Sequence, residues 1–207
     1  MLTLKKGRRV KPSNKGLLAG QKRPLMPKHV WSIRVRLELS GSARDLALFN
    51  TALDSKLRAC DLVRLRIDDV CSGSCVRDRA TVVQKKTGRP VQFEITEQAR
   101  TAIEQLLPKL RSVCSTFLFP SRRCPAASLS TRQYARIVHG WVNMIGLDPA
   151  AYGTHSMRRT KAAQIYRKTV NLRAAQLLLG HTKLESTVRY LGIEVDDALE
   201  IAEQTDV

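Results

Sequence analysis

The sequence predicts an α+β domain that is mainly α-helical and carries one small antiparallel sheet. Two observations predict it. Segments with apolar residues at helical spacing occupy both ends of the chain, and a single stretch, residues 66–95, changes to the alternating period of strands. No internal repeat is evident, and 207 residues with 43% apolar content suffice for one domain with an ordinary core.

Residues 1–26 come first, basic and rich in Gly, Pro, Ser and Asn, and read as a flexible arm. The folded domain is expected over 27–207. Pro27 opens a helix with Val30, Ile33 and Leu37 on one face. Ser42 with Asp45 three residues on resembles a capping box, ahead of a helix bearing Leu46, Phe49 and Leu53. A short helix should follow through Leu57, Asp61, Leu62 and Leu65.

The β region is expected to hold about three strands. Val76–Val83 is rich in β-branched residues, and Val91, Phe93 and Ile95 alternate from Pro90 onward. The polar turn Lys85-Lys86-Thr87-Gly88-Arg89 between them completes a hairpin signature. Residues near Ile67–Val70 would supply the first strand.

Helices resume after that. Thr96 is placed to cap one with Ala99, Ile103, Leu106 and Leu110, and Ser130 another with Tyr134, Ile137, Val138, Trp141 and Met144. A third begins at Thr154, Leu172–Leu179 forms a fourth ended by Gly180, and a tail helix from about 194 has Val195, Leu199 and Ala202 at helical spacing.

The charge narrows the function. Lys and Arg outnumber Asp and Glu by 36 to 18, a formal charge of +18, so a polyanion such as DNA or RNA is the expected partner. Met1–Lys28 holds nine cations and no acid, while six acids and no cation follow Arg189. The five cysteines, Cys60, Cys71, Cys75, Cys114 and Cys124, are odd in number and follow no secretory signal, which suits reduced thiols in a cytoplasmic protein. Cys71 and Cys75 lack a second Cys/His pair at zinc spacing, so no metal site is expected. No apolar run reaches the length of a membrane span.

Several residues are suited to phosphate chemistry. His155 and Arg158 in Gly153-Thr154-His155-Ser156-Met157-Arg158-Arg159 share one face at a helix start, where free N–H groups also favour an anion. Arg58 lies among apolar residues with Asp61 three positions on, placed to pair with it. His181 follows Leu179-Gly180, and Tyr190 stands nine residues later. Taken singly each is weak, since H-x-x-R arises by chance and a tyrosine near a C-terminus is often core.

In order and spacing these pieces resemble the tyrosine recombinases of the phage integrase family, over roughly residues 28–195. Arg58 and Asp61 match its Arg in a leucine-rich helix with an acid three residues later. Lys86 matches its Lys in the hairpin turn before Thr-Gly; His155 and Arg158 match its H-x-x-R; His181 follows Leu-Gly; Tyr190 stands at the position of its nucleophile. Met157 and Arg159 depart from the usual Leu and His of the second motif. Members often carry a helical DNA-binding domain ahead of the catalytic one, and only about 27 mostly polar residues precede the first helix here.

The resemblance implies the DNA breaking-rejoining fold, a helical catalytic domain with a three-stranded antiparallel sheet. It implies a site-specific recombinase of integrase or invertase type that joins DNA through a 3′-phosphotyrosyl bond, with neither metal, cofactor nor ATP. Arg58, Lys86, His155, Arg158, His181 and Tyr190 would be catalytic and Asp61 supporting, while Lys85, Arg89, Arg132, Arg159 and Lys161 are candidate DNA contacts. The partners would be double-stranded DNA and three further copies, with exchange of C-terminal tails, in the bacterial cytoplasm. The rival functions are relaxation of the type IB topoisomerase kind and a DNA-binding module of the same fold without activity.

Overall fold

The computed structural model describes residues 22–191. Helices α1 (Pro27–Leu39), α2 (Ala43–Ser55), α3 (Ala59–Leu62) and α4 (Ile67–Val70) come first. Two hairpins follow: β1 (Cys71–Ser72) with β2 (Cys75–Val76), and β3 (Arg79–Val83) with β4 (Pro90–Glu94). The chain then returns to helix in α5 (Glu97–Ser112), α6 (Thr131–Met144), α7 (Thr154–Thr169), α8 (Leu172–Leu179) and α9 (Leu184–Leu191).

α2 is the centre of the packing. Every residue from Leu46 to Ser55 is buried, because α1, α5 and α7 all lie against this one helix. A helix apolar on one face alone could not occupy that place, and Ala47, Leu48 and Ala52 widen the stripe that Leu46, Phe49 and Leu53 begin. The core continues through Ile33, Ile103, Leu106, Tyr134 and Val138, and Phe49 meets Trp141 edge to face at 5.3 Å between ring centroids.

Mainly helical structure with small antiparallel sheets agrees with the expected class, and the β3–β4 hairpin pairs Ala80 with Phe93 and Val82 with Val91 as the alternation requires. The expected first strand at Ile67–Val70 is instead the helical turn α4, and the described strands form two separate pairs rather than one three-stranded sheet. Asp69 decides this locally: its carboxylate accepts the N–H of Arg66 at 2.8 Å and favours a helical start over extension.

Two expected caps also form differently. The Ser42 side chain caps nothing, and Asp45 pairs with Arg44. Thr96 precedes α5 but gives both its N–H and its hydroxyl to Asp54, at 2.9 and 2.7 Å. Ser130 does cap α6, accepting from the N–H of Gln133 at 3.1 Å. At the start of the described chain, Lys22–Met26 lies on the body: Leu25 is buried, and its N–H donates to Thr160 Oγ1 at 2.9 Å. The tail helix expected from about 194 lies outside the described residues.

Candidate active site

The site forms where α7, the α8–α9 corner and the β3–β4 turn meet the start of α3. α7 begins at Thr154, after Gly153, whose N–H donates to Ser156 Oγ at 3.1 Å. This helix start puts His155 in contact with solvent in the first turn and turns Arg158 inward, where it is 3% exposed. Burying a guanidinium is costly unless its donors are used. Nη2 of Arg158 donates to the carbonyl of Leu179 at 2.5 Å and lies 3.5 Å from His181 Nε2, while Nη1 has no protein partner. A buried, charged donor without a partner is what an anion-binding site requires.

Gly180 builds the corner that carries His181. It ends α8 at φ 63°, and the backbone N–H of His181 returns to the carbonyl of Gln176 at 3.1 Å. A Cβ on Gly180 would lie 2.6 Å from Val91 Cγ2, so β4 packs against this turn at a distance only glycine permits. His181 Nδ1 meets Thr187 Oγ1 at 3.2 Å, which fixes the ring and turns Nε2 to Arg158.

Tyr190 on α9 completes the cluster. Its ring stands edge to face with His181, with centroids 5.2 Å apart, and the guanidinium carbons of Arg158 and Arg159 lie 5.8 and 5.4 Å from its centroid. Its hydroxyl donates to the carbonyl of His155 at 3.5 Å. Burial pushes the phenol up to about 12, against the opposing pull of Arg158, Arg159 and Arg58. His181 is pushed down to about 4 by burial and then by Arg158 and Arg58. His155 is lowered too, first by its partial withdrawal from water and then by Arg158, Arg159 and Arg58. Both imidazoles are therefore neutral near pH 7.

Arg58 stands just ahead of α3, at its N-cap, rather than within a helix. It makes no ion pair with Asp61. Its Nη1 donates to Gln84 Oε1, and Asp61, itself buried, accepts the backbone N–H of Lys85 at 3.0 Å. Asp61 thus holds the hairpin turn and does not orient Arg58 directly. Lys86 lies exposed in that turn, and among the described residues no hydrogen bond draws its ammonium into the cluster. The structure therefore brings together Arg158, His181, Tyr190 and His155, with the charge of Arg58 acting on all four, and leaves Lys86 at the margin.

Among the candidate DNA contacts, Lys85, Arg89 and Arg132 are exposed. Lys161 is committed elsewhere: it bridges Asp54 and Glu94, each at 2.6 Å. Arg159 is buried and donates to the carbonyl of Lys22 at 2.7 Å, so its charge serves the tyrosine and the entering chain. Sequence reasoning missed Gln84 and Thr187. Gln84 had a signal, because alternation from Ala80 through Val82 puts it on the inward side of the hairpin. Among the described residues, no group of three or more His, Cys, Asp or Glu is placed to hold a metal ion.

Comparison with known proteins places the chain among relatives of one family. The model of the phage integrase family matches residues 25–195. The probable integrase/recombinase YoeC of Bacillus subtilis is 28% identical over 158 residues, 76% of this chain and 82% of its own length. Tyrosine recombinase XerC of Neisseria gonorrhoeae is 32% identical over 158 residues, 75% of this chain but 49% of its own. The chain thus spans about half the length of such XerC relatives. Among solved structures, XerA recombinase superposes with a TM-score of 0.73 at 20% identity, covering 89% of this chain and 65% of that one. XerH site-specific recombinase, bound to its difH substrate after cleavage, gives 0.70 at 18% identity, covering 94% and 56%. A family model that spans the whole of the assembled site leaves one conclusion: this chain belongs to the phage integrase family.

Proposed function

We propose that the protein is a site-specific DNA recombinase that cleaves and rejoins DNA through Tyr190. One observation carries this reading above the rest: the Tyr190 ring is enclosed by Arg158, Arg159 and His181, groups that the sequence scatters over 33 positions and the fold gathers around one phenol.

The chemistry follows from the groups present. The Tyr190 oxygen attacks the scissile phosphorus, giving its proton to neutral His155. The bond to the 5′-oxygen breaks, and a 3′-phosphotyrosyl ester remains. Lys86 protonates the leaving 5′-oxygen, its exposed turn closing on the duplex once the phosphate is bound. Arg58, Arg158 and the Nε2 of His181 face the non-bridging oxygens, where negative charge builds in the transition state. The bond energy stays in the ester, so resealing needs neither ATP nor a metal ion. A phenol held near 12 is a poor nucleophile by itself, so its proton must pass to a base as the bond to phosphorus forms.

Double-stranded DNA is the proposed substrate, with Lys85, Arg89 and Arg132 as exposed backbone contacts. Four copies on two paired sites, linked through their C-terminal segments, are the proposed assembly. The test is a pool of randomised duplexes nicked to trap cleavage. Wild type should form a covalent adduct seen on a denaturing gel. Absence of adduct across the pool would refute the reading, and relaxation of supercoiled plasmid without exchange between two captured sites would reassign the chain to topoisomerase chemistry.

A further inference from the structure

We propose that Gln84 is a positioning residue for this reaction: its neutral amide oxygen orients Arg58 toward the phosphate without cancelling the guanidinium charge. The inference rests on the reading that Arg58 serves the scissile phosphate. Gln84 follows β3 and has no exposed surface. Its Oε1 accepts from Arg58 Nη1 and from Thr87 Oγ1, the latter at 3.1 Å. Its backbone closes the turn as well, with the N–H donating to the carbonyl of Arg89 at 2.9 Å and the carbonyl accepting from Gly88 at 2.8 Å. One residue therefore ties the arginine to the turn that carries Lys86.

The choice of an amide matters. An arginine is ordinarily held by a carboxylate, as the spacing of Arg58 and Asp61 suggests. Here Asp61 is turned to the backbone of Lys85, and the partner of Arg58 is uncharged. A carboxylate in that place would orient the fork equally well but would satisfy electrostatically the charge that the transition state needs. The same side chain reaches the opposite wall of the site. Its Nε2 is buried without a hydrogen-bond partner and lies 3.2 Å from where a Gly180 Cβ would stand, one residue before His181. Gln84 thus spaces Arg58, the Lys86 turn and the His181 corner from a single buried point.

Two near-isosteric variants separate positioning from packing. Gln84→Met keeps the volume and removes both the acceptor and the unpartnered amide N–H, so its thermal midpoint should not fall. Its rate of adduct formation on a captured nicked duplex should drop by about tenfold or more, the loss of a hydrogen bond to a charged group. Gln84→Glu keeps an acceptor for Arg58 but adds a carboxylate that the guanidinium holds ionised, so its thermal midpoint should not fall while adduct formation slows by about tenfold or more. A purely structural role would lower midpoint and rate together in Gln84→Met and leave the near-isosteric Gln84→Glu close to the wild-type rate. Wild-type rates of adduct formation by Gln84→Met or by Gln84→Glu overturn the inference while the recombinase reading stands. Absence of adduct with wild type removes both.

Discussion

At the scale of single residues, the site is defined by charges held out of water. Arg158 is almost wholly buried, yet its Nη1 has no hydrogen-bond partner in the protein. His181 is kept neutral beside it, with its pKa pushed down to about 4. This has a consequence for stability. Below the ordinary histidine range near 6.5, the unfolded chain takes up a proton that folded His181 refuses until about pH 4. The stability linked to this group is therefore complete above about 6.5 and lost as pH falls toward 4. Urea unfolding followed across this window should show the decline, and His181→Gln should flatten it; an unchanged slope would place the pH dependence elsewhere. The sequence could nominate Arg58 and Asp61 as a pair, because three-residue spacing permits one. It could not show that Arg58 precedes the helix, so that the two side chains diverge and a glutamine from a distant hairpin becomes the partner.

At the scale of elements, the long helices were legible because their apolar period is strong, as in α5 with Ala99, Ile103, Leu106 and Leu110 all buried. The hairpin was legible through its turn. What escaped was set by contacts between elements. Ile67–Val70 has β-branched ends and reads as strand, yet the side chain of Asp69 caps it into a helical turn. Thr96 has the form of an N-cap, yet Asp54 on α2 takes both its donors. Lys161 has the form of a DNA contact, yet Asp54 and Glu94 consume its charge. This partly buried network, which also includes fully enclosed Lys56, joins α2, β4 and α7. Asp54→Ala would leave Lys161 and the Thr96 N–H short of partners, and chemical denaturation should show a loss of about 3 kcal/mol. Gly180→Ala forces a Cβ against Val91 in a left-handed turn. It should cost about 2 kcal/mol in the same measurement and lower adduct formation further than stability alone explains, because the corner carries His181.

At the scale of the whole molecule, a charge of +18 on 207 residues would make the proposed association with DNA an electrostatic event. The logarithm of the binding constant should fall linearly with the logarithm of salt concentration. Removing residues 1–21, with the six cations Lys5, Lys6, Arg8, Arg9, Lys11 and Lys15, should reduce that slope by as much as about five if all six meet phosphates. An unchanged slope would show that the arm takes no part. The central claim, however, concerns where the covalent bond forms, and the sequence offers a direct readout. No Lys or Arg follows Arg189, so trypsin releases the end of the chain as one peptide, Tyr190–Val207, with a single tyrosine. Wild-type adduct, digested with nuclease and trypsin, should carry its nucleotide remnant on that peptide, with fragment ions placing it on Tyr190. Tyr190→Phe should bind DNA and yield no adduct. A remnant on any other peptide, or an adduct that survives Tyr190→Phe, would contradict the account.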